Sequence, residues 1–303
     1  MANSQIVGSV PSNKPLFAFR KVFSLLAHYA GLVAFAIFTC FPFLWALSVA
    51  LSMDPSNIWL FPRSFLPTDP GVGWFERVFS EIKFFTYLGN SAIISFWTIV
   101  GAVVVSILAG YPLARLRFPG RGLIFIAIIA TMMLPQEVAI IPNFVTFKHL
   151  GDLSEAVFGF KVTGLNTYSA AVLPYVSTAF GIFLMKQAFE QIPQDLIDAA
   201  RVDGATEMQI LWRVMVPVSA PSIAALSIFT LVNAWNEFIW TGIVIQDKLK
   251  MPLSVGMFND LTGPFAVSTS MVMAGIVLSI VPVLIFFAFT QRYFISGLDG
   301  AVK

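Results

Sequence analysis

The stretch Asp198-Ala-Ala-Arg-Val-Asp-Gly-Ala-Thr-Glu-Met-Gln-Ile-Leu-Trp-Arg-Val-Met-Val-Pro217 lies between two long apolar runs and carries its own helix punctuation. Pro193 closes what precedes it. Gln194–Val202 then reads as a short helix with Asp195 near its start, where an acid suits the positive end of the helix dipole. Asp203-Gly204 ends that helix, since Gly is the usual residue just past a helix end. Thr206-Glu207-Met208-Gln209 fits a capping box, with Thr206 as N-cap and Gln209 three residues on. Arg213 falls in the last turn of this second helix, and Pro217 is expected to stop it. The prediction is two short helices about a Gly204 elbow. Ala199, Ala200 and Ala205 put small side chains near the elbow, and Leu196, Ile197 and Val202 offer apolar contacts. Spacing alone leaves two readings open: a surface hairpin that joins two spans, and a knob that seats in a cleft of another chain.

On both sides of this stretch the composition is that of a membrane protein. The chain has 303 residues, 57% hydrophobic and 11% charged, against about 25% charge in soluble domains, and its mean hydropathy is +0.83. A helical crossing needs about 20 mostly apolar residues. Six runs qualify, at roughly 22–51, 90–109, 122–141, 168–185, 221–242 and 271–290. The fourth is the least clean, since Pro174 and several Ser/Thr residues interrupt it, and Pro135 and Pro282 sit in the third and sixth. Neighbouring helices can re-satisfy the backbone groups that such breaks release. The expected fold is all-α and integral to a membrane, with six transmembrane helices. Its parts are a cytoplasmic N-terminal segment 1–21, a first transmembrane helix with an external loop (22–84), a transmembrane core 85–290 containing the polar loop 186–220, and a cytoplasmic tail 291–303.

Orientation follows from Lys and Arg. With the N-terminus inside, the cytoplasmic segments hold Lys14, Arg20, Lys21, Arg115, Arg117, Arg121, Lys186, Arg201, Arg213, Arg292 and Lys303, eleven in all. The external loops hold seven: Arg63, Arg77, Lys83, Lys148, Lys161, Lys248 and Lys250. The short loop 111–121 carries three Arg and no acid, which strengthens the bias, so both termini are expected in the cytoplasm. The first apolar run is roughly twice the 7–15 residues of a secretory signal and reads as an uncleaved anchor. The polar first 13 residues are expected to be poorly ordered.

Much chemistry is missing. No G-x-x-x-x-G-K-[ST] phosphate cradle occurs, and no G-x-S-x-G elbow or spaced nucleophile–base pair. The single Cys40 allows no internal disulfide. His28 and His149 lie far apart without a Cys/His cluster, so no metal site is expected. Net charge of +2 gives no sign of nucleic-acid binding. The chain is expected to be non-catalytic and to bind no cofactor.

The elbow residues Asp198, Ala199, Ala200, Asp203, Gly204 and Ala205, continuing to Trp212-Arg213-Val214 and Pro217, resemble the coupling loop of bacterial ATP-binding-cassette (ABC) importer permeases. That family pattern is E-A-A-x-x-D-G-A, followed by an aromatic residue and a proline. Asp198 stands where the family has Glu, a shorter side chain of the same charge. Gly89-Asn90-Ser91, Leu113-Ala114-Arg115, Leu134-Pro135, Ile141-Pro142, Trp235-Asn236-Glu237-Phe238 and Gln291-Arg292-Tyr293-Phe294 extend the likeness from about residue 85 to the C-terminus. The pattern resembles the smaller six-span permease of maltose-type importers, in the carbohydrate-uptake branch. The tail Gly297–Lys303 is similar to that subunit's C-terminal end, which lies near the ATPase dimer interface in the family.

The resemblance implies a type I ABC importer permease fold with cytoplasmic coupling helices, in a bacterial inner membrane. It implies a second, different permease, two ATPase subunits holding ATP and Mg, and an extracytoplasmic solute-binding protein. It implies that Asp198–Gly204 seats in the ATPase. The solute is expected to be a sugar or sugar-like molecule, di- or oligosaccharide first, with a polyol or glycerol phosphate as the alternative. An ion-gradient transporter is a further alternative, although no Lys or Arg is embedded in the spans and no internal repeat is visible.

Intramembrane acids cost about 2.5–3.5 kcal/mol at the bilayer centre and usually face protein or water. Two occur, Glu137 and Glu237. In the fifth run Asn233, Asn236, Glu237 and Trp240 fall at i, i+3, i+4 and i+7, one face of a helix. That stripe suits a sugar pathway, and it equally suits polar glue between helices with Trp240 in an interfacial belt. Ala102, Ser106 and Gly110 share a face at i+4 spacing and predict close helix packing.

Overall fold

The computed structural model describes residues 14–54, 65–67, 69–262 and 268–301, with the side chains of 14–23 and 291–301 outside the description. The N-terminal polar segment 1–13, the side chains of Gln291–Phe294 and the end of the tail therefore lie outside the described residues. Among those described, regular structure is helical, with one isolated antiparallel bridge between Ser52 and Pro70.

The described residues begin with α1 (Lys14–Ala50), followed by a short α2 (Gly73–Glu81) and the long α3 (Phe84–Arg115). A broken span comes next. α4 (Arg121–Thr131) ends, a 3-10 turn occupies Gln136–Ala139, and α5 (Ile140–Phe158) departs at 93°. In the following span α6 (Tyr168–Val172) and a 3-10 turn at Leu173–Tyr175 meet α7 (Ala179–Glu190) at 49°. α8 (Gln194–Val202) and α9 (Glu207–Ile210) form the polar elbow. A π turn (Leu211–Met215) and α10 (Val216–Val218) carry on from it, and α11 (Ala220–Asn236) leaves with a 77° bend. α12 (Ile239–Val244), α13 (Leu253–Leu261) and α14 (Thr269–Ala301) complete the chain. Among the described residues, three helices are long and apolar enough to cross a membrane, and six crossings result if each bent pair counts as one.

Three expected spans are not single helices: the fourth bends between α6 and α7, and the third and fifth break as well. α4 has 11 residues, about 16 Å at 1.5 Å per residue, well short of a hydrocarbon core of about 30 Å. Its end is set by Pro135, which has no N–H to continue the ladder and disfavours helical geometry at Leu134. The N–H groups of Met132, Met133 and Leu134 turn back onto Ile129, Ala130 and Thr131 instead. The run 221–242 also breaks: α11 stops at Asn236 and Glu237 is extended, at φ −64° and ψ 124°.

α3 is central. It packs against α7 and α11, while α1 packs on α14. The face of Ala102, Ser106 and Gly110 is fully buried, as its spacing predicts. A Cβ on Gly110 would stand 3.1 Å from the Met185 Cβ, and one on Gly181 would fall 2.3 Å from the Ser106 Oγ. The two helices thus meet backbone to backbone, the contact that small residues permit between membrane helices. One apolar core gathers Tyr87, Trp235, Trp240, Leu253 and Met271. The other gathers Ile107, Met185 and Phe189 with residues of the elbow. Cys40 and the large apolar residues of α1, Phe35 and Phe38 among them, are exposed.

Candidate functional site

The elbow forms from local chemistry. Gly204 takes φ +81°, a left-handed conformation that Gly adopts without strain. Its N–H donates to the Arg201 carbonyl and the Ala205 N–H to the Ala200 carbonyl, each at 3.0 Å. These two bonds are a Schellman closure of α8. One residue later the capping box is complete. Thr206 Oγ1 accepts from the Gln209 N–H at 3.4 Å, and Gln209 Oε1 accepts from the Thr206 N–H at 2.8 Å. The second helix, however, passes through Pro217 to Val218. The wide π turn just before Pro217 absorbs the missing donor, so the sharp bend falls at Ser219.

One side of the elbow is fastened to the bundle. Ile197, Ile210, Leu211 and Met215 are buried with Ile107, Tyr111, Phe189 and Ile192. Ile197 therefore faces the protein's own core, against the expectation that it would be offered to a partner. Leu196, Val202, Met208 and Trp212 are exposed. Asp198, Ala199, Asp203 and Gly204 are exposed beside them, with Ala200 and Ala205 half-buried. A Cβ on Gly204 would meet nothing within 4 Å among the described residues.

Polar clamps hold this geometry. Arg201 binds Glu207 Oε1 at 2.9 and 3.2 Å and reaches Asp198 at 3.4 Å. The hydrogen bond and charge of Glu207 push the Arg201 guanidinium above its ordinary range. The other Glu207 oxygen accepts from the Tyr111 hydroxyl. Asp198 also accepts from Gln194 at 3.0 Å, and Gln194 in turn accepts from Arg115 at 3.1 Å. Arg115 donates to the carbonyls of Phe189 and Ile192 as well. Arg121 pairs with Glu190 at 3.2 Å, and Lys186, nearly buried over the Phe125 ring, binds the same carboxylate at 2.8 Å. The basic loop after α3 is thus more than a topology signal. Tyr111, Arg115, Gln194, Arg201 and Glu207 all position the elbow, and helical spacing within one segment could not reveal them because their partners lie 74 to 96 residues away for Tyr111 and Arg115.

The stripe expected along the fifth run does not survive. Because α11 ends at Asn236, the four residues do not share a helical face. Asn233 is exposed, and Asn236 donates to its own Val232 carbonyl at 2.9 Å. The Glu237 carboxylate accepts the N–H groups of Trp240 and Thr241, both at 2.8 Å, and so caps the start of α12, where unsatisfied donors gather. Trp240 is buried and donates to the Ala170 carbonyl at 2.8 Å. Glu137 sits exposed in the 3-10 turn after the α4 break. No group of three or more His, Cys, Asp or Glu suited to a metal occurs among the described residues.

Comparison with known proteins gives a consistent picture. Residues 102–297 match the family model described as "binding-protein-dependent transport system inner membrane component". The arabinooligosaccharides transport system permease protein AraQ of Halalkalibacterium halodurans is 34% identical over 84% of this chain and 83% of its own length. The sn-glycerol-3-phosphate transport system permease protein UgpE of Yersinia pestis is 31% identical over 86% of this chain and 91% of its own. Among solved structures, a chain of a bacterial ABC transporter involved in import of the acidic polysaccharide alginate aligns with TM-score 0.76 and 25% identity. That alignment covers 95% of this chain and 100% of the other.

Proposed function

The chain belongs to the family of binding-protein-dependent transport system inner membrane components, and on that premise we propose that it forms one half of a two-permease pathway driven by a separate ATPase pair. As an ABC permease subunit it is a transport component, and the proposed division of labour leaves ATP and Mg on the partner ATPases. A solute-binding protein delivers the solute from outside, and both termini face the cytoplasm with the elbow. The solute class favoured is a di- or oligosaccharide, in keeping with the AraQ relatives. Glycerol phosphate, named for the UgpE relatives, is the second reading.

One observation carries the coupling role. The elbow is rigid on its inner side, through Ile197, Ile210 and the Tyr111–Glu207–Arg201 chain, yet open on its outer side around Gly204. A segment that merely joined two spans would need neither the fastening nor the open apolar rim of Val202, Met208 and Trp212. Seated in an ATPase groove, it would move as one body with α3 and α7 when the ATPases close. ATPase closure would then switch the pathway from inward- to outward-facing. The test is reconstitution of this chain with its partner permease, ATPase and binding protein in proteoliposomes. ATP-dependent uptake that disappears when the ATPase is left out supports the reading. Uptake by this chain alone would overturn it.

A further inference from the structure

A cavity of about 360 Å³ lies where the broken spans converge, near the lower end of the 300–1,000 Å³ that ligand sites occupy. Its walls come from both sides of the α4–α5 break (Thr131, Gln136, Asn143), from the α6–α7 break (Tyr175, Thr178) and from Trp240, just past the break that ends α11. Non-helical backbone at membrane depth is tolerated only where protein buries it or where it lines a water-filled cavity. Discontinuous helices of this kind form solute sites in transporters. Three breaks around one cavity are therefore more than three separate accidents of local sequence.

The chemistry of the walls is specific. Gln136, Asn143 and Thr178 present amide and hydroxyl groups, while Tyr175 and Trp240 present rings. Amides and hydroxyls exchange hydrogen bonds with sugar hydroxyls, and rings cover a sugar's apolar face. No Lys or Arg lines the cavity among the described residues. Two carboxylates stand next to the walls: Glu137 follows the lining residue Gln136 in the 3-10 turn, and Glu237 accepts from the N–H of the lining residue Trp240. An anion entering here would lose its hydration opposite carboxylates, with no cation to replace it.

We infer that this cavity is a solute subsite on this subunit, built for an uncharged glycosyl unit and set against phosphate esters and acidic sugars. The inference rests on the proposed function and narrows its solute class. The Glu237 carboxylate is committed to capping α12, so Glu137, exposed in its 3-10 turn, is the charge that sets the selectivity. Asn143 binds solute through its amide.

The experiment uses the full reconstituted transporter, with uptake of arabino- and malto-oligosaccharides compared with that of sn-glycerol 3-phosphate and alginate oligosaccharide. The wild type takes up a neutral oligosaccharide in preference to the anions. Asn143→Leu raises its KM tenfold or more, Asn143→Gln restores it to within about threefold, and both variants co-purify with the partner subunits in wild-type amounts. Glu137→Lys narrows the preference against the anions by at least tenfold. Preference for an anion in the wild type overturns the solute class. Asn143→Leu and Glu137→Lys transporters with wild-type KM and selectivity overturn the subsite alone, with the importer reading intact. A wild-type complex that imports none of the four with ATP overturns the proposed function, and the subsite falls with it.

Discussion

The Tyr111 hydroxyl donates to the Glu207 carboxylate across 96 residues of sequence, tying the last turns of α3 to the first residue of α9. Glu207 simultaneously holds Arg201 of α8, so a single carboxylate fixes the angle between the two elbow helices and the position of both on the bundle. Hydrogen bonds of charged groups contribute about 1.5–3 kcal/mol, more than neutral ones, and the Tyr111 bond is sheltered while the Arg201 pair is partly exposed. An exposed pair alone is worth about 0–1 kcal/mol. The sheltered half of the clamp is therefore the stronger half.

Tyr111→Phe removes the donor while leaving the ring in its apolar contacts with Phe189. The variant assembles with its partners and loses about 1–2 kcal/mol of stability. Its main effect is on coupling: solute molecules moved per ATP hydrolysed drop at least threefold. Parallel measurement of uptake and phosphate release checks this, and an unchanged ratio would remove Tyr111 from the coupling machinery.

Gly204 separates strain from docking. Its φ of +81° makes any L residue strained, by about 1–2 kcal/mol, with Asn and Asp tolerating the conformation best. The space around it is open among the described residues. Gly204→Asn and Gly204→Asp should therefore fold and reach the membrane, while the added side chain obstructs the partner groove. The expected outcome is near-normal abundance with loss of ATPase co-purification or of uptake. Normal transport and normal ATPase stimulation in Gly204→Asp would end the docking role for the elbow.

The inner face of the elbow behaves as core. Ile210 is fully buried beside Met215, Met185 and Phe189. Burial of this kind predicts that Ile210→Ala destabilises by about 2–5 kcal/mol, whereas Met208→Ala, on the exposed side two residues earlier, stays within about 0.5 kcal/mol in the isolated subunit. Thermal unfolding in detergent, read with a probe in the elbow, distinguishes the two. Equal effects would mean that the elbow is not fastened as described.

How much of this was legible in the sequence depends on how local the determinants are. The Schellman closure and capping box lie within the ten residues 200–209, and Gly204, Thr206 and Gln209 announce them. The α3 small-residue face was legible for the same reason, since 3.6-residue periodicity is a local property. The breaks were legible as prolines at 135 and 174 but not as bends, because the angle depends on what the freed backbone finds to pack against. The Glu237 break carries no proline or glycine. A carboxylate that turns back to cap the next helix looks in sequence like one more polar position on a continuous face, which is why the Asn233–Trp240 stripe was expected and is absent. The clamp at Tyr111 and Glu207 was invisible because its halves lie on different spans.

The α3–α7 crossing gives a prediction with a built-in rescue. A Cβ on Gly181 would fall 2.3 Å from Ser106 Oγ and 2.8 Å from Thr178 Oγ1, and Ser106 Oγ is fully buried without a hydrogen-bond partner among the described residues. Overpacking at such a contact costs about 1–3 kcal/mol, so Gly181→Ala lowers stability by that amount. Ser106→Ala deletes a buried hydroxyl that has no partner and should be neutral or mildly stabilising. In the double variant the hydroxyl nearest the new methyl is gone, leaving Thr178 Oγ1 to shift, and at least half of the Gly181→Ala loss returns. Residues in direct contact couple by about 0.5–3 kcal/mol, so the rescue should be measurable by thermal unfolding of the four proteins of the cycle. Additive effects would show that the helices part to admit the methyl group, and that α3 and α7 are not locked backbone to backbone at this point.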